Sequence, residues 1–156
     1  MQKTTGELMD ALLSKPDVAQ YLEENRGELA SGSLAELLNR LLQTHGLQKA
    51  QVVAASQLER SYGYHLFSGA RANPSRDVLL SLALAMGLTL DETQQLLRRA
   101  GQAMLYPRVR RDSVIIRAAA DGCTVMECNE RLESLGETPL QCLGRTPWRI
   151  AGFWNR

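Results

Sequence analysis

Leu34, Leu37, Leu38, Leu41 and Leu42 recur at i, i+3, i+4, i+7 and i+8. That period is one face of an α-helix and cannot be one face of a strand. The run has punctuation at both ends. Ser33 sits before it as an N-cap, with Glu36 three residues on to close a capping box. Gly46 follows as a C-terminal glycine. A chain that opens a stretch this way and continues with similar signals is committed to helices. Leu and Ala dominate the apolar content while aromatic residues make up only 5%, which strengthens the same conclusion.

The pattern extends in both directions. Leu8, Leu12 and Leu13 precede Pro16-Asp17, and Val18, Tyr21 and Leu22 resume on one face, so residues 5–29 read as two short acidic helices. After Gly46, Leu47 leads into a helix over about 49–56 through Val52 and Val53, and a tight turn is expected near Gln57-Leu58. A third helix spans 60–68 and Gly69 stops it. Residues 70–76 form a loop, Asp77 is expected to cap the apolar helix 78–86, and Gly87 ends it. Thr89 with Glu92 opens another helix to Ala100, closed by Gly101.

A shift of 35 residues brings the chain onto itself. Arg76-Asp77 falls on Arg111-Asp112, Gly87 on Gly122, Thr89 on Thr124, Glu92 on Glu127, Leu97 on Leu132, Gly101 on Gly136 and Leu105 on Leu140. These are cap, core and stop positions, so a two-helix unit is built twice. Two copies are too few for a solenoid, and the second is expected to extend the first. The sequence therefore divides into an acidic helical segment (1–32), a five-helix region (33–101), a repeated helix pair (102–140) and an aromatic tail (141–156) holding Trp148, Phe153 and Trp154.

The formal net charge of +1 is neutral ground, but its distribution is uneven. Residues 1–31 carry three basic and six acidic side chains, whereas residues 98–117 carry six arginines and one aspartate. A near-neutral total can hide a basic face of the kind that phosphate binding requires. Other chemistries lack their motifs. There is no GxSxG elbow, no phosphate-binding glycine loop and no HExxH, so no catalytic residue is assigned. Cys123, Cys128 and Cys142 form no CxxC pair and lie far from His45 and His65, so neither a metal nor another cofactor is expected. An odd cysteine count suits a reducing cytosol. No secretory signal and no apolar run of about 20 residues is visible, which makes a cytoplasmic protein the expectation and a membrane partner an unexpected one.

Gly46-Leu47 before the second of the five helices, Val52-Val53 within it, the helix Arg60–Ser68 and the loop Ser68-Gly69-Ala70-Arg71-Ala72-Asn73-Pro74-Ser75-Arg76 before the apolar helix Leu79 to Gly87 together resemble the lambda-repressor-like (XRE/Cro-type) helix-turn-helix family. The resemblance covers a little under half of the chain. It implies an all-α fold with a five-helix helix-turn-helix core, and a bacterial transcription regulator whose partner is double-stranded DNA. It also implies a third helix in the major groove, with Arg60, Ser61, Tyr62, Tyr64 and His65 facing base edges or phosphate. Lys49 falls where such domains often touch the backbone, and Arg71, Asn73 and Arg76 match the loop group that follows. Leu66 and Phe67 belong to the core. Three positions depart from the pattern: Gln57 stands where a small residue or glycine is usual and is expected to be strained, Gly63 lies inside the recognition helix, and Glu59 places a negative charge beside the groove.

Plainer readings stand beside these. Arg60, Tyr62, Tyr64 and His65 also fit a solvated helix face. Arg108, Arg110 and Arg111 fit either a second phosphate patch or ordinary helix capping. The recurrence of Arg-Asp in both repeats favours a structural role, with Asp as N-cap and Arg tethering a loop. His45, at a helix C-terminus, suits the helix dipole. Two functions follow: a sequence-specific DNA-binding regulator that pairs as a homodimer, or a non-catalytic protein-interaction module on the same scaffold, with residues 1–32 or 141–156 as the partner-binding segments.

Overall fold

The computed structural model describes residues 3–14, 16–26 and 33–141, and every regular element among them is an α-helix. The aromatic tail beyond Gln141, with Cys142, and the Ser31-Gly32 break lie outside the described residues. The chain divides before Ser33 into two units. The first holds α1 (Thr5–Ser14) and α2 (Val18–Glu24). Thr4 and Glu7 cap α1 reciprocally, and the Asp17 carboxylate accepts from the Ala19 amide to start α2. Lys3 Nζ donates to Asn25 Oδ1 at 2.6 Å, tying the ends of this unit together. Tyr21 is buried, while Met9, Leu13, Val18 and Leu22 remain exposed.

The second unit contains α3 (Leu34–Thr44), α4 (Lys49–Ala55), α5 (Arg60–Ser68), α6 (Arg76–Met86), α7 (Leu90–Arg99), α8 (Arg110–Ala120) and α9 (Val125–Ser134). All five leucines of the opening pattern are buried in α3, and Ser33 with Glu36 forms the capping box. Thr89–Glu92 and Thr124–Glu127 form the same box at α7 and α9, 35 residues apart. Asp77 does not cap α6. The cap is Ser75, whose hydroxyl accepts from the Val78 amide, and this extends the helix back to Arg76. α6 is the central element: Val78, Leu79, Leu80, Ser81, Leu82, Ala83, Leu84 and Met86 are all buried. A helix apolar on every side must be covered on every side, and α4, α7 and α9 pack around it. His45 at the end of α3 reaches Glu92 at 2.9 Å, locking α3 to the start of α7.

The N-terminal ends of α6 and α8 meet in a clasp made of the repeated Arg-Asp dipeptides. Arg76 holds Asp112 with two parallel bonds of 2.9 and 2.8 Å, and Arg111 holds Asp77 with bonds of 3.1 and 2.9 Å. Each arginine also donates to its own repeat's exit segment: Arg76 to the Ala103 and Met104 carbonyls, Arg111 to those of Thr138 and Pro139. Each aspartate accepts a backbone amide, Asp112 from Tyr106 and Asp77 from Gln141. Gln94 and Asn129 repeat the correspondence, accepting from the amides of Leu105 and Leu140. Every contact has its partner 35 residues on.

The copies differ where their surroundings differ. Leu82, Met86 and Leu96 are buried in the first pair, and their counterparts are Arg117, Asp121 and Arg131. These three form an ion-pair network, with Asp121 held by Arg131 at 2.8 Å and by Arg117 at 3.1 Å. The first pair presents that face to α3–α5, and the second presents it to water. Cys128 is fully buried in α9, and its burial pushes the thiol up to about 11, which keeps it protonated as an apolar filler.

Burial alone would raise the Asp112 carboxyl, but the bonds from Arg76 and the Tyr106 amide and the charges of Arg76 and Arg111 outweigh it and hold it below its ordinary value. A depressed native value contributes stability above the unfolded value of about 4 and loses it as pH falls through the native one. Asp112→Asn is expected to cost about 2–3 kcal/mol at neutral pH, because it leaves Arg76 without its counter-charge. Denaturant titrations from pH 7 down to pH 3 should show the wild type losing stability more steeply than the variant on acidification. Parallel pH curves would refute this account of the clasp.

Candidate nucleic-acid interface

α4 and α5 meet at a corner made by residues 56–59. Ser56 is fully buried, and its hydroxyl donates back to the Val53 carbonyl at 2.7 Å and accepts from the Leu58 amide. Gln57 then takes φ +65, the left-handed conformation that the family resemblance implied for this position. It is the non-glycine residue with positive φ among the described residues. Leu58 turns inward and is almost wholly buried. Glu59 starts α5: its carboxylate accepts from the Ser61 amide at 3.1 Å and from the Tyr62 amide at 2.9 Å. The sequence reading took Glu59 as a charge beside a groove and missed this capping role, because glutamate is not among the usual N-cap residues.

Gly63 explains itself through packing. A Cβ built there would lie 2.7 Å from Val53 Cγ1. The glycine therefore lets α5 cross α4 at close range, in return for its unfavourable helix propensity of about 1 kcal/mol. Leu66 and Phe67 are buried beside it. Asn39 of α3 donates to the Phe67 carbonyl at 2.8 Å and fixes the far end of the helix.

With Gly63, Leu66 and Phe67 inward, Arg60, Ser61, Tyr64 and His65 occupy the opposite arc. Arg60, Ser61 and His65 are exposed and Tyr64 is half-buried. Arg60 lies over the Tyr64 ring, 5.9 Å from its centroid. Tyr62 sits apart on the flank, half-buried, with Arg71 over its ring at 5.9 Å. Burial pushes the Tyr62 phenol above its ordinary value against the opposing pull of Arg71. Lys49, at the first position of α4, lies 5.7 Å over the Phe67 ring. Each cation sits within the range of cation–π attraction, so three positive groups from α4, α5 and the following loop have their positions restrained around one helix.

Asn73 is exposed on the loop, and the Arg71 amide donates to the His65 carbonyl, which holds the loop against α5. Arg76 does not join this group. Its guanidinium is engaged with Asp112, Ala103 and Met104 in the clasp. Arg110 and Arg111 are likewise held, by Glu137 and the Leu135 carbonyl and by Asp77 respectively.

Between the helices, Ala50, Val53, Ala54 and Leu58 floor a cleft of about 300 Å³ edged by Arg60 and Tyr64. The small residues at positions 50 and 54, one turn apart, are the sequence signal for this opening, and the sequence reading did not use it. No cluster of His, Cys, Asp and Glu suited to a metal ion occurs among the described residues. No helix among them is long and apolar enough to cross a membrane. Compared with family models, curated proteins and solved structures, the chain matches none.

Two substitutions test the corner. Gly63→Ala is expected to destabilise by about 1–3 kcal/mol, since Val53 must move to admit the methyl group, even though alanine is the better helix former. Gln57→Gly is expected to stabilise by up to about 1 kcal/mol, because relief of about 1–2 kcal/mol of left-handed strain exceeds the added entropy of the unfolded glycine, about 0.5–1 kcal/mol. Urea titrations measure both. A stabilised Gly63→Ala protein would contradict the close approach of α4 and α5.

Proposed function

We propose that this chain is a sequence-specific regulator that binds double-stranded DNA, with α4, the corner and α5 acting as a helix-turn-helix of the lambda-repressor-like kind. The supporting observation is the outward arc of α5. Arg60, Ser61, Tyr64 and His65 share one face of a helix whose other face is locked into the core, and Lys49 and Arg71 flank it with restrained positive charge. In the major groove such a face offers a bidentate donor for guanine in Arg60 and shorter polar groups for neighbouring base edges. In this reading Lys49, Arg71 and Asn73 touch the phosphates on either side, contacts that orient the protein without reading sequence. The Ala50–Ala54 cleft beside Arg60 and Tyr64 gives apolar room for a thymine methyl group. Arg76 has a structural role in this reading.

One observation favours the second reading, a non-catalytic protein-interaction module. The Glu59 carboxylate already occupies the Ser61 and Tyr62 amides, so the N-terminus of α5 is closed to phosphate and carries a negative charge.

Selection of bound fragments from mixed genomic DNA at two salt concentrations separates the two. The regulator enriches particular fragments, and its affinity falls steeply as salt rises. Arg60→Ala costs about 1–3 kcal/mol and relaxes specificity at one base position, whereas Lys49→Ala weakens all sequences alike. Failure of the folded wild type to retain DNA at low salt overturns the DNA reading and leaves the interaction module.

A further inference from the structure

The duplication repeats a loop as well as a helix pair. Residues 70–75, which lead from α5 into α6, fall on residues 105–110, which lead from α7 into α8. Caps and clasp residues are kept between the copies, but the loop changes. Arg71 becomes Tyr106, Asn73 becomes Arg108 and Ser75 becomes Arg110, so one arginine becomes two.

Hydrogen bonds tie both loops to α5 in series. The Arg71 amide donates to the His65 carbonyl of α5 at 3.2 Å. Gln102 Nε2 donates to the Pro74 carbonyl at 3.1 Å, and Arg76 donates to the Ala103 and Met104 carbonyls. The Tyr106 amide donates to Asp112, which Arg76 also holds. The segment that bears Arg108 is therefore anchored beside the loop that bears Arg71 and Asn73, at the end where α6 and α8 begin.

The arginines that follow the joint are not equivalent. Arg110 is held by Glu137, Arg111 by Asp77 and Arg117 by Asp121. Arg108 is exposed and meets no carboxylate among the described residues. Where neighbouring charges cancel in pairs, the uncancelled one dominates the local field and attracts anions.

We propose that the second loop is a further phosphate-binding element, in which Arg108 grips the backbone of double-stranded DNA beyond the stretch that α5 reads. Its ligand is the phosphodiester and not a base edge, so it adds affinity and footprint length without adding sequence information. The proposal rests on the DNA reading of α5, and it gives the second helix pair a task, that of carrying the duplicated loop.

The test uses a duplex enriched by the wild type and compares Arg108→Ala with Arg117→Ala, which removes the same charge from the other end of α8. Both side chains are exposed, so both variants are expected to keep the wild-type helical content by circular dichroism. In a plot of log affinity against log salt, Arg108→Ala is expected to reduce the slope by about one and to weaken binding about five- to tenfold at 0.1 M salt. Arg108→Lys should keep the wild-type slope, because a phosphate contact needs the charge, and Arg117→Ala should keep it too. Hydroxyl-radical footprinting should show Arg108→Ala losing protection of backbone that flanks the α5 site while protection of the site itself remains. A wild type that binds while Arg108→Ala keeps its slope and its flanking protection overturns the proposal and leaves the α5 reading standing. Equal slope changes in the two alanine variants also overturn it, since they report total charge alone. A wild type that retains no DNA removes the α5 reading and this element with it.

Discussion

An α-helix with no polar face cannot stand against water on any side, and α6 is such a helix, with eight of its eleven residues buried. Its placement sets the rest of the second unit. α4 covers one side and carries the corner into α5, α7 closes another, and α9 covers a third. Burial of this much leucine is the dominant favourable contribution. It is non-directional, however, and does not by itself fix how the second helix pair sits. The Arg-Asp clasp at the α6 N-terminus does that, since two bidentate pairs and their backbone carbonyls admit one geometry.

The duplicated pair shows how one pattern serves two environments. Caps, glycines and clasp residues are retained because each helix pair needs the same ends. The outward face is rewritten. Leucine and methionine at positions 82, 86 and 96 support α3–α5, and arginine and aspartate at 117, 121 and 131 replace them where nothing covers the surface. Without that change the second pair would expose a broad apolar patch.

Around α5, packing constraints and chemical display are linked. Gly63 admits Val53, which draws α5 onto α4 and turns Arg60, Ser61, Tyr64 and His65 outward together. Gln57 bears left-handed strain so that the corner closes over Leu58. Lys49, Arg60 and Arg71 each rest near an aromatic ring, which limits the conformations open to long flexible cations.

The sequence by itself determined the helices, because period, cap and stop residues act locally: the α3 leucines, the boxes at Ser33, Thr89 and Thr124, and the left-handed glycines all fell where the pattern put them. It also held the 35-residue duplication and the position of the turn at Gln57. Local chemistry misled at the start of α6, where Asp77 looked like a cap but Ser75, two residues earlier, holds the amide. Only the tertiary structure decided what the Arg-Asp dipeptides are for, since their partners lie about a repeat away and no spacing rule reveals a reciprocal pair. That same long-range pairing withdrew Arg76 from the basic loop group and left Lys49, Arg60 and Arg71 around α5. A charged side chain's role depends on which opposite charge the fold brings to it, and that is a property of packing between distant segments.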